Sequence, residues 1–398
     1  MEKTYFRSGL GLKKEVAGAL QGDYHSQIVD LLRDRDYTLT AGGLTFRLAK
    51  EFGFCYGVDR AVDYAYQTST KFPDRRVFLV GEIIHNPHVN EKLERKGITI
   101  LRPGEDGKFD YSEVTKEDVV IIPAFGVTVR DWQVLRDIGC VLIDTTCGSV
   151  LNVWKRVEQY ARDGYTALIH GKYLHEEAKA TASQVTRYDA GKYIIVRDMV
   201  EAEVVCDYIE GRCEADLIDR RFAHATSPDF SAARDLQRIG VANQTTMLAR
   251  ESLEIAHRVG RAMSARHGET ALPDHFRSFD TICSATQERQ DAILELIEEP
   301  LDVMIVIGGY NSSNTNHLAK ICTAKVTTYH ISDASCIDLE RGTIRYKPVG
   351  ADAEDERAEW LSGAKVIGIT AGASTPNNKI GEAIERTLRS RGIALPAA

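Results

Sequence analysis

Asp280-Thr281-Ile282-Cys283 and its echo Asp144-Thr145-Thr146-Cys147 are the stretches from which the rest of this chain is read. Each D-T-x-C closes a short run that reads as a strand and opens a run that reads as a helix. After Cys147 comes GSVLNVWKRVEQYARDG, with Val150, Val153, Trp154 and Val157 at helical spacing. After Cys283 comes SATQERQDAILELIEE, with Ile293, Leu294 and Ile297 likewise. A third cysteine, in GFCYGVDRAVDYAY, stands before Val58, Val62 and Tyr66. Cys55, Cys147 and Cys283 therefore share one backbone setting, the turn at a helix N-terminus. There the partial positive charge of free N–H groups favours thiolate over thiol. Two readings stay open at this point. Each cysteine is a small buried apolar residue, or three thiolates meet at a metal site with one open position. No two cysteines form C-x-x-C, so any meeting is tertiary. Three ligands plus water is also a catalytic zinc pattern; three thiolates without histidine lean toward iron–sulfur.

The composition sets limits. A chain of 398 residues suits two or three domains. Hydrophobic residues at 43% and charged residues at 27% are ordinary for a globular protein. No apolar run is long enough to span a bilayer, and the N-terminus carries no signal-peptide pattern, so the expected location is cytoplasmic with no membrane partner. Eight cysteines then imply a reducing compartment. The net charge of -8 disfavours nucleic acid as a partner.

Strands alternate with helices throughout, which indicates parallel α/β units. The expected organisation is an N-terminal extension over residues 1–43, α/β domains over 44–146 and 147–282, and a third over 283–398 with a C-terminal tail. The extension holds one amphipathic helix in HSQIVDLLRDRDYTL. Residues 211–235 read as an insertion or peripheral helix, and the region around 341–359 as a polar connection.

Two strand ends in the last segment carry chemistry. Val303–Gly309 leads into Tyr310-Asn311-Ser312-Ser313-Asn314-Thr315, and Val366–Thr370 into Ala371-Gly372-Ala373-Ser374-Thr375-Pro376. Free N–H groups and short hydroxyls at a helix start bind anions. Helix capping explains one such turn; two parallel strands ending this way favour a ligand at the carboxyl edge of a sheet. Neither G-x-G-x-x-G nor a P-loop occurs. His85 and His175 follow strand-like runs and can donate to phosphate, with His88 and His170 close by in the sequence. Glu177 is either a proton donor beside His175 or a first-turn carboxylate complementing a helix dipole. Thr245 is a strand-end hydroxyl or an ordinary β-former.

Taken in order, GFCYGVDRAV, EIIHNPHVN, DTTCGSVLNVW, HEEAKAT, NQTTM, DTICSATQERQ, GGYNSSNT and ITAGASTP resemble the 4-hydroxy-3-methylbut-2-enyl diphosphate reductase family, the last enzymes of the methylerythritol phosphate route to isoprenoids. The resemblance spans about Leu44 to Ile384. The extension and PAFGV look like its plant and cyanobacterial branch. The resemblance implies a trefoil of three pseudo-equivalent α/β domains around a central 4Fe-4S cluster. Cys55, Cys147 and Cys283 would hold that cluster and leave one iron open to the substrate's allylic hydroxyl. It implies a diphosphate held among His85, His175, Ser312, Ser313, Asn314 and Ser374, a proton relayed by Glu177, and Thr245 orienting that network. It implies a one-electron donor protein, ferredoxin or flavodoxin, and isopentenyl and dimethylallyl diphosphate as products. One departure stands out: many bacterial members carry a third histidine where this chain has Phe125. The other five cysteines match no ligand position of the family. A quinolinate synthase-like dehydratase would need basic residues for carboxylates, and an iron–sulfur regulator would need a nucleic-acid-binding segment.

Overall fold

The computed structural model describes residues 4–395; residues 1–3 of the expected extension and 396–398 of the expected tail lie outside them. The chain forms two compact units. One is built from Arg75–Gly81 and Thr99–Cys283 with the first residues of the chain. The other is built from Ser8–Asp74, Glu82–Ile98 and the chain from Ser284 onward.

The first unit holds two sheets. One has the order Tyr5–Phe6, Val141–Asp144, Val119–Ile122, Val77–Val80, Ile98–Leu101, its first four strands paired in parallel. The other has the order Phe276–Ser278, Ile239–Asn243, Thr166–His170, Tyr193–Val196 and is parallel throughout. The runs VFLV and VVII are buried at every position, as strands covered on both faces must be. The helix Gly148–Arg162 buries Val150, Val153, Val157 and Tyr160. Its stripe joins Leu168, Ile169 and Val241 in one core.

The second unit holds a parallel sheet of Thr328–Ile331, Val303–Ile307, Val366–Ala371 and Leu44–Leu48, with Thr38–Ala41 antiparallel at the edge. The helix Ser284–Leu296 buries Ile293 and Leu296 beside Met304 and Val306. Leu294, expected on that apolar stripe, is exposed.

The mixed α/β class with parallel sheets matches the expectation, while the segment boundaries need correction. Leu44–Leu48 pairs with Val366–Ala371, not with the strands of 77–144. Tyr5–Phe6, placed in the extension, pairs with the strand that ends at Asp144. The extension also forms a second helix, Lys13–Tyr24, whose few apolar residues gave no periodic signal. The polar connection around 341–359 contains Thr343–Tyr346 and Asp355–Ala358, which form an antiparallel sheet with Ile337–Asp338. Every side chain of Asp355–Ala358 is exposed, so no alternation marks it as a strand. Residues 211–235 hold the short helices Ala215–Arg221 and Ala232–Asp235.

Candidate active site

The three cysteine turns are built the same way. Cys147 is the N-cap of the helix Gly148–Arg162, Cys55 the N-cap of Tyr56–Lys71, and Cys283 directly precedes Ser284–Leu296. In each, the cysteine N–H donates to a carbonyl two residues beyond the end of the neighbouring parallel strand. Cys147 donates to Ala124 at 2.9 Å, past Ile122; Cys283 to Thr245 at 3.3 Å, past Asn243; Cys55 to Ala373 at 3.1 Å, past Ala371. The D-T-x-C repeat has a mechanism. Asp144 Oδ1 accepts the N–H of Thr146 at 3.0 Å, and Asp280 Oδ1 that of Ile282 at 3.0 Å, so each aspartate closes an Asx-turn. Thr145 Oγ1 donates to the Ile122 carbonyl at 2.6 Å and Thr281 Oγ1 to that of Asn243 at 3.1 Å, the last residues of the neighbouring strands. The strand ends that receive these two staples lead into the loops of Phe125 and Thr245.

The eight thiols fall into different environments. Cys55, Cys147 and Cys283 are half-exposed. Burial pushes Cys140 up to about 11 and Cys206 and Cys322 up to about 12, so these three are protonated packing residues. Cys213 is also raised by burial, and Cys336 is buried beside the Tyr310 hydroxyl. The accessible thiols at helix N-termini are thus the three that the sequence singles out, a donor set suited to an iron–sulfur centre.

In the first unit the structure brings Glu177, His175, Thr245 and Phe125 together. His175 caps the helix Glu176–Ser183, its Nδ1 accepting the N–H of Glu177 at 3.1 Å. An accepting Nδ1 leaves the ring proton on Nε2, the nitrogen able to donate outward. Phe125 packs edge-on against this ring, centroids 5.5 Å apart and planes at 81°. Glu177 is 1% exposed, and its Oε1 accepts the N–H of Thr245 at 2.6 Å. Gly126 makes the Phe125 loop possible: φ is +76°, and a Cβ there would stand 2.4 Å from the Trp154 ring.

In the second unit the two hydroxyl-rich turns and the His85 loop form one network. Ser374 Oγ donates to the His85 carbonyl at 3.1 Å, and Asn314 Oδ1 accepts the N–H of Ala373 at 2.9 Å. Gly309 lets the loops approach, since a Cβ there would lie 2.8 Å from the His85 carbonyl oxygen. Ser312 is engaged as the N-cap of Ser313–Thr323, accepting from Thr315 N–H at 3.3 Å. For Ser312, capping is the role its geometry displays. Ser313 Oγ and Asn314 Nδ2 are different: both are buried and have no hydrogen-bond partner among the described residues. An unsatisfied buried donor costs about 1–3 kcal/mol, so two of them at one helix start mark a place built for an acceptor-rich ligand.

Glu82 and Asn311 were not singled out by sequence. Glu82 Oε2 lies 2.8 Å from His85 Nδ1 and accepts from Asn311 Nδ2 at 2.9 Å. A carboxylate can only accept, so Nδ1 of His85 carries its proton toward Glu82 and Nε2 faces away. Glu82 precedes the histidine by three residues in EIIH, which is the only signal for it. The remaining candidates take other roles. His170 is fully buried with Nδ1 at 2.8 Å from Ser252 Oγ, and His88 lies on the helix Pro87–Arg95 rather than in the loop.

Known proteins of similar sequence point to the same chemistry. A family model described as LytB protein matches residues 46–388. A protein of Synechococcus sp. (strain CC9605) named 4-hydroxy-3-methylbut-2-enyl diphosphate reductase is 46% identical over 388 residues, 97% of this chain and 96% of its own. One of the same name from Gloeobacter violaceus is 44% identical over 396 residues, 98% and 94% of the two chains. A solved (E)-4-hydroxy-3-methyl-but-2-enyl diphosphate reductase, described as the terminal enzyme of the non-mevalonate pathway, matches with TM-score 0.52 and 28% identity over 86% of this chain and 98% of that one. A Plasmodium falciparum E-1-hydroxy-2-methyl-but-2-enyl-4-diphosphate reductase matches with TM-score 0.64 and 20% identity over 86% and 87%, a likeness that bears on the fold alone. Among the described residues no helix is long and apolar enough to cross a membrane.

Proposed function

The chain belongs to the LytB protein family, and from that membership we propose that it is a 4-hydroxy-3-methylbut-2-enyl diphosphate reductase acting in the cytoplasm. It reduces the allylic alcohol of its substrate to isopentenyl and dimethylallyl diphosphate. The reaction takes up two electrons and two protons. The carbon–oxygen bond breaks, the hydroxyl leaves as water with one proton, and the second proton adds at either end of the allyl unit.

The observation that carries this reading is the cysteine turn repeated on three parallel sheets, with Cys55, Cys147 and Cys283 the half-exposed thiols at helix N-termini. By the family resemblance these three residues would hold a 4Fe-4S cluster. When bound, the cluster supplies the one-electron transfers and a Lewis-acid position for the substrate oxygen. Everything else falls to side chains. Ser313 and Asn314 satisfy their buried donors on the diphosphate, with Ser312 and Ser374 in the same wall. His85 and His175 each donate through Nε2, an orientation fixed by Glu82 in one case and by the Glu177 N–H in the other. Glu177 holds the proton for the departing hydroxyl while the Thr245 N–H keeps its Oε1 in place, and the Thr245 hydroxyl orients the same network. Phe125 cannot donate, so no third histidine contributes at that position.

The test is anaerobic purification, iron and sulfide analysis, and oxidation of dithionite-reduced methyl viologen by the substrate. The reading expects two electrons consumed per substrate and loss of cluster iron in Cys55→Ser, Cys147→Ser and Cys283→Ser alike. Full iron content in all three variants would remove its basis.

A further inference from the structure

The proposed reaction needs an electron carrier, and the face that leads to Cys283 has the chemistry to receive one. Phe279 lies four residues before Cys283 and is 37% exposed, although it is a large apolar side chain. The Arg156 guanidinium sits 4.0 Å above its ring, and Tyr160 stacks beneath it with centroids 6.2 Å apart and planes at 27°. Arg156 is exposed and has no ion-pair partner among the described residues. It lies on the helix that Cys147 caps.

Exposed Lys155 and Arg162 flank it on the same helix, and Arg277 reaches the same edge. Against these four cations stand three acids, of which Glu158 on the same helix is paired with Arg187 at 3.5 Å. Asp163 is shared, with Arg277 Nη1 at 2.6 Å and Arg162 Nε at 3.4 Å. Asp280 is engaged with the Ile282 N–H. The surface is therefore locally basic on a chain whose net charge is -8, with a partly desolvated aromatic–guanidinium pair at its centre. Exposed aromatic and arginine side chains of this kind anchor protein interfaces. Four residues of backbone span at most about 14 Å, so the Phe279 backbone lies within that distance of the Cys283 backbone.

We propose that Arg156 and Phe279, with Lys155, Arg162 and Arg277 around them, are the docking face for a small acidic one-electron carrier protein. The proposal rests on the reductase reading above. Each docked carrier is oxidised by one electron, so two dockings supply one turnover. The basic rim steers the acidic partner, and the Phe279–Arg156 pair holds it.

The test uses the iron-loaded enzyme and an acidic [2Fe–2S] ferredoxin as probe, with two assays. Direct binding of oxidised ferredoxin is followed by calorimetry, and turnover is driven either by reduced ferredoxin or by reduced methyl viologen. The expected result is that Arg156→Glu weakens ferredoxin binding by about tenfold or more and raises the KM for ferredoxin in parallel. Viologen-driven turnover should stay at the wild-type rate. Arg162→Glu should act in the same direction, and Lys116→Glu, elsewhere on the surface, should do nothing. Wild-type binding should weaken as salt is raised. Unchanged ferredoxin affinity in both arginine variants would overturn the proposal. So would equally tight binding of a short single-stranded DNA, since the face would then be a general anion surface. Failure of viologen to drive the wild-type enzyme would instead defeat the reductase reading, while the binding measurement would still decide the docking face.

Discussion

Glu177 Oε1 accepts the backbone N–H of Thr245 at 2.6 Å, and the carboxylate is buried at the head of the helix that His175 caps. The backbone thus fixes one carboxylate oxygen of the residue proposed to hold the proton. Glu177→Gln keeps an acceptor for Thr245 but removes the exchangeable proton. It should lower kcat by about a hundredfold or more while leaving substrate KM and iron content near wild type. Viologen-driven kinetics with iron analysis check this; wild-type kcat would move the proton donor elsewhere.

The orphaned donors of Ser313 and Asn314 predict opposite effects on stability and binding. Ser313→Ala removes a hydroxyl that has no partner without substrate, so the free protein should be unchanged or slightly more stable. Substrate KM should rise about tenfold, the loss of one hydrogen bond to a charged group. Thermal unfolding with and without substrate separates the two, because the stabilisation that substrate gives should shrink in the variant. An unaltered KM would leave Ser313 as a helix-start residue alone.

Thr281 joins the cysteine turn to its neighbouring strand, accepting the Asn243 N–H at 2.9 Å and donating to the Asn243 carbonyl at 3.1 Å. Thr281→Val loses both bonds and should destabilise the fold by about 1–3 kcal/mol. Because the turn positions Cys283, the variant should also release cluster iron to a chelator faster than wild type. Thr145→Val should do the same at Cys147. A lower melting temperature with an unchanged iron-release rate would separate the staple from metal retention.

Acid sensitivity is expected from His88. Burial, with Lys379 and Lys92 nearby, pushes it down to about 4, against about 6.5 for an unfolded imidazole. Between those values the unfolded chain takes up a proton that the folded chain refuses, so stability falls as pH drops from 6.5 to 4. The effect is at most about 3 kcal/mol near pH 4 and vanishes above pH 7. His330, also pushed to about 4 by burial, adds to it. Melting temperatures across that range should fall less steeply for His88→Gln; an identical slope would place the acid sensitivity in other groups.

What the sequence disclosed and what it hid follow from how local each signal is. The cysteine turns were legible because an Asx-turn, a strand-end hydroxyl and a helix start lie within four consecutive residues. The turns holding Ser313, Asn314 and Ser374 were legible as helix starts because glycine and short hydroxyl residues follow each strand run. The capping role of Ser312 needed coordinates, since a cap and an anion donor look alike in sequence. Glu82 was missed because its role depends on Asn311, far away in the chain. The pairing of Leu44–Leu48 was hidden for the same reason: its partner, Val366–Ala371, lies near the other end of the chain. Asp355–Ala358 carries no buried side chain, so its pairing left no pattern at all.

The central claim is that this chain removes an allylic oxygen by reduction, and mass analysis of the product tests it most directly. The iron-loaded protein, incubated without oxygen with 4-hydroxy-3-methylbut-2-enyl diphosphate and reduced viologen, should yield isopentenyl and dimethylallyl diphosphate. Cys283→Ser should yield none. Recovery of the alcohol unchanged from protein with a full iron–sulfur complement would contradict the account.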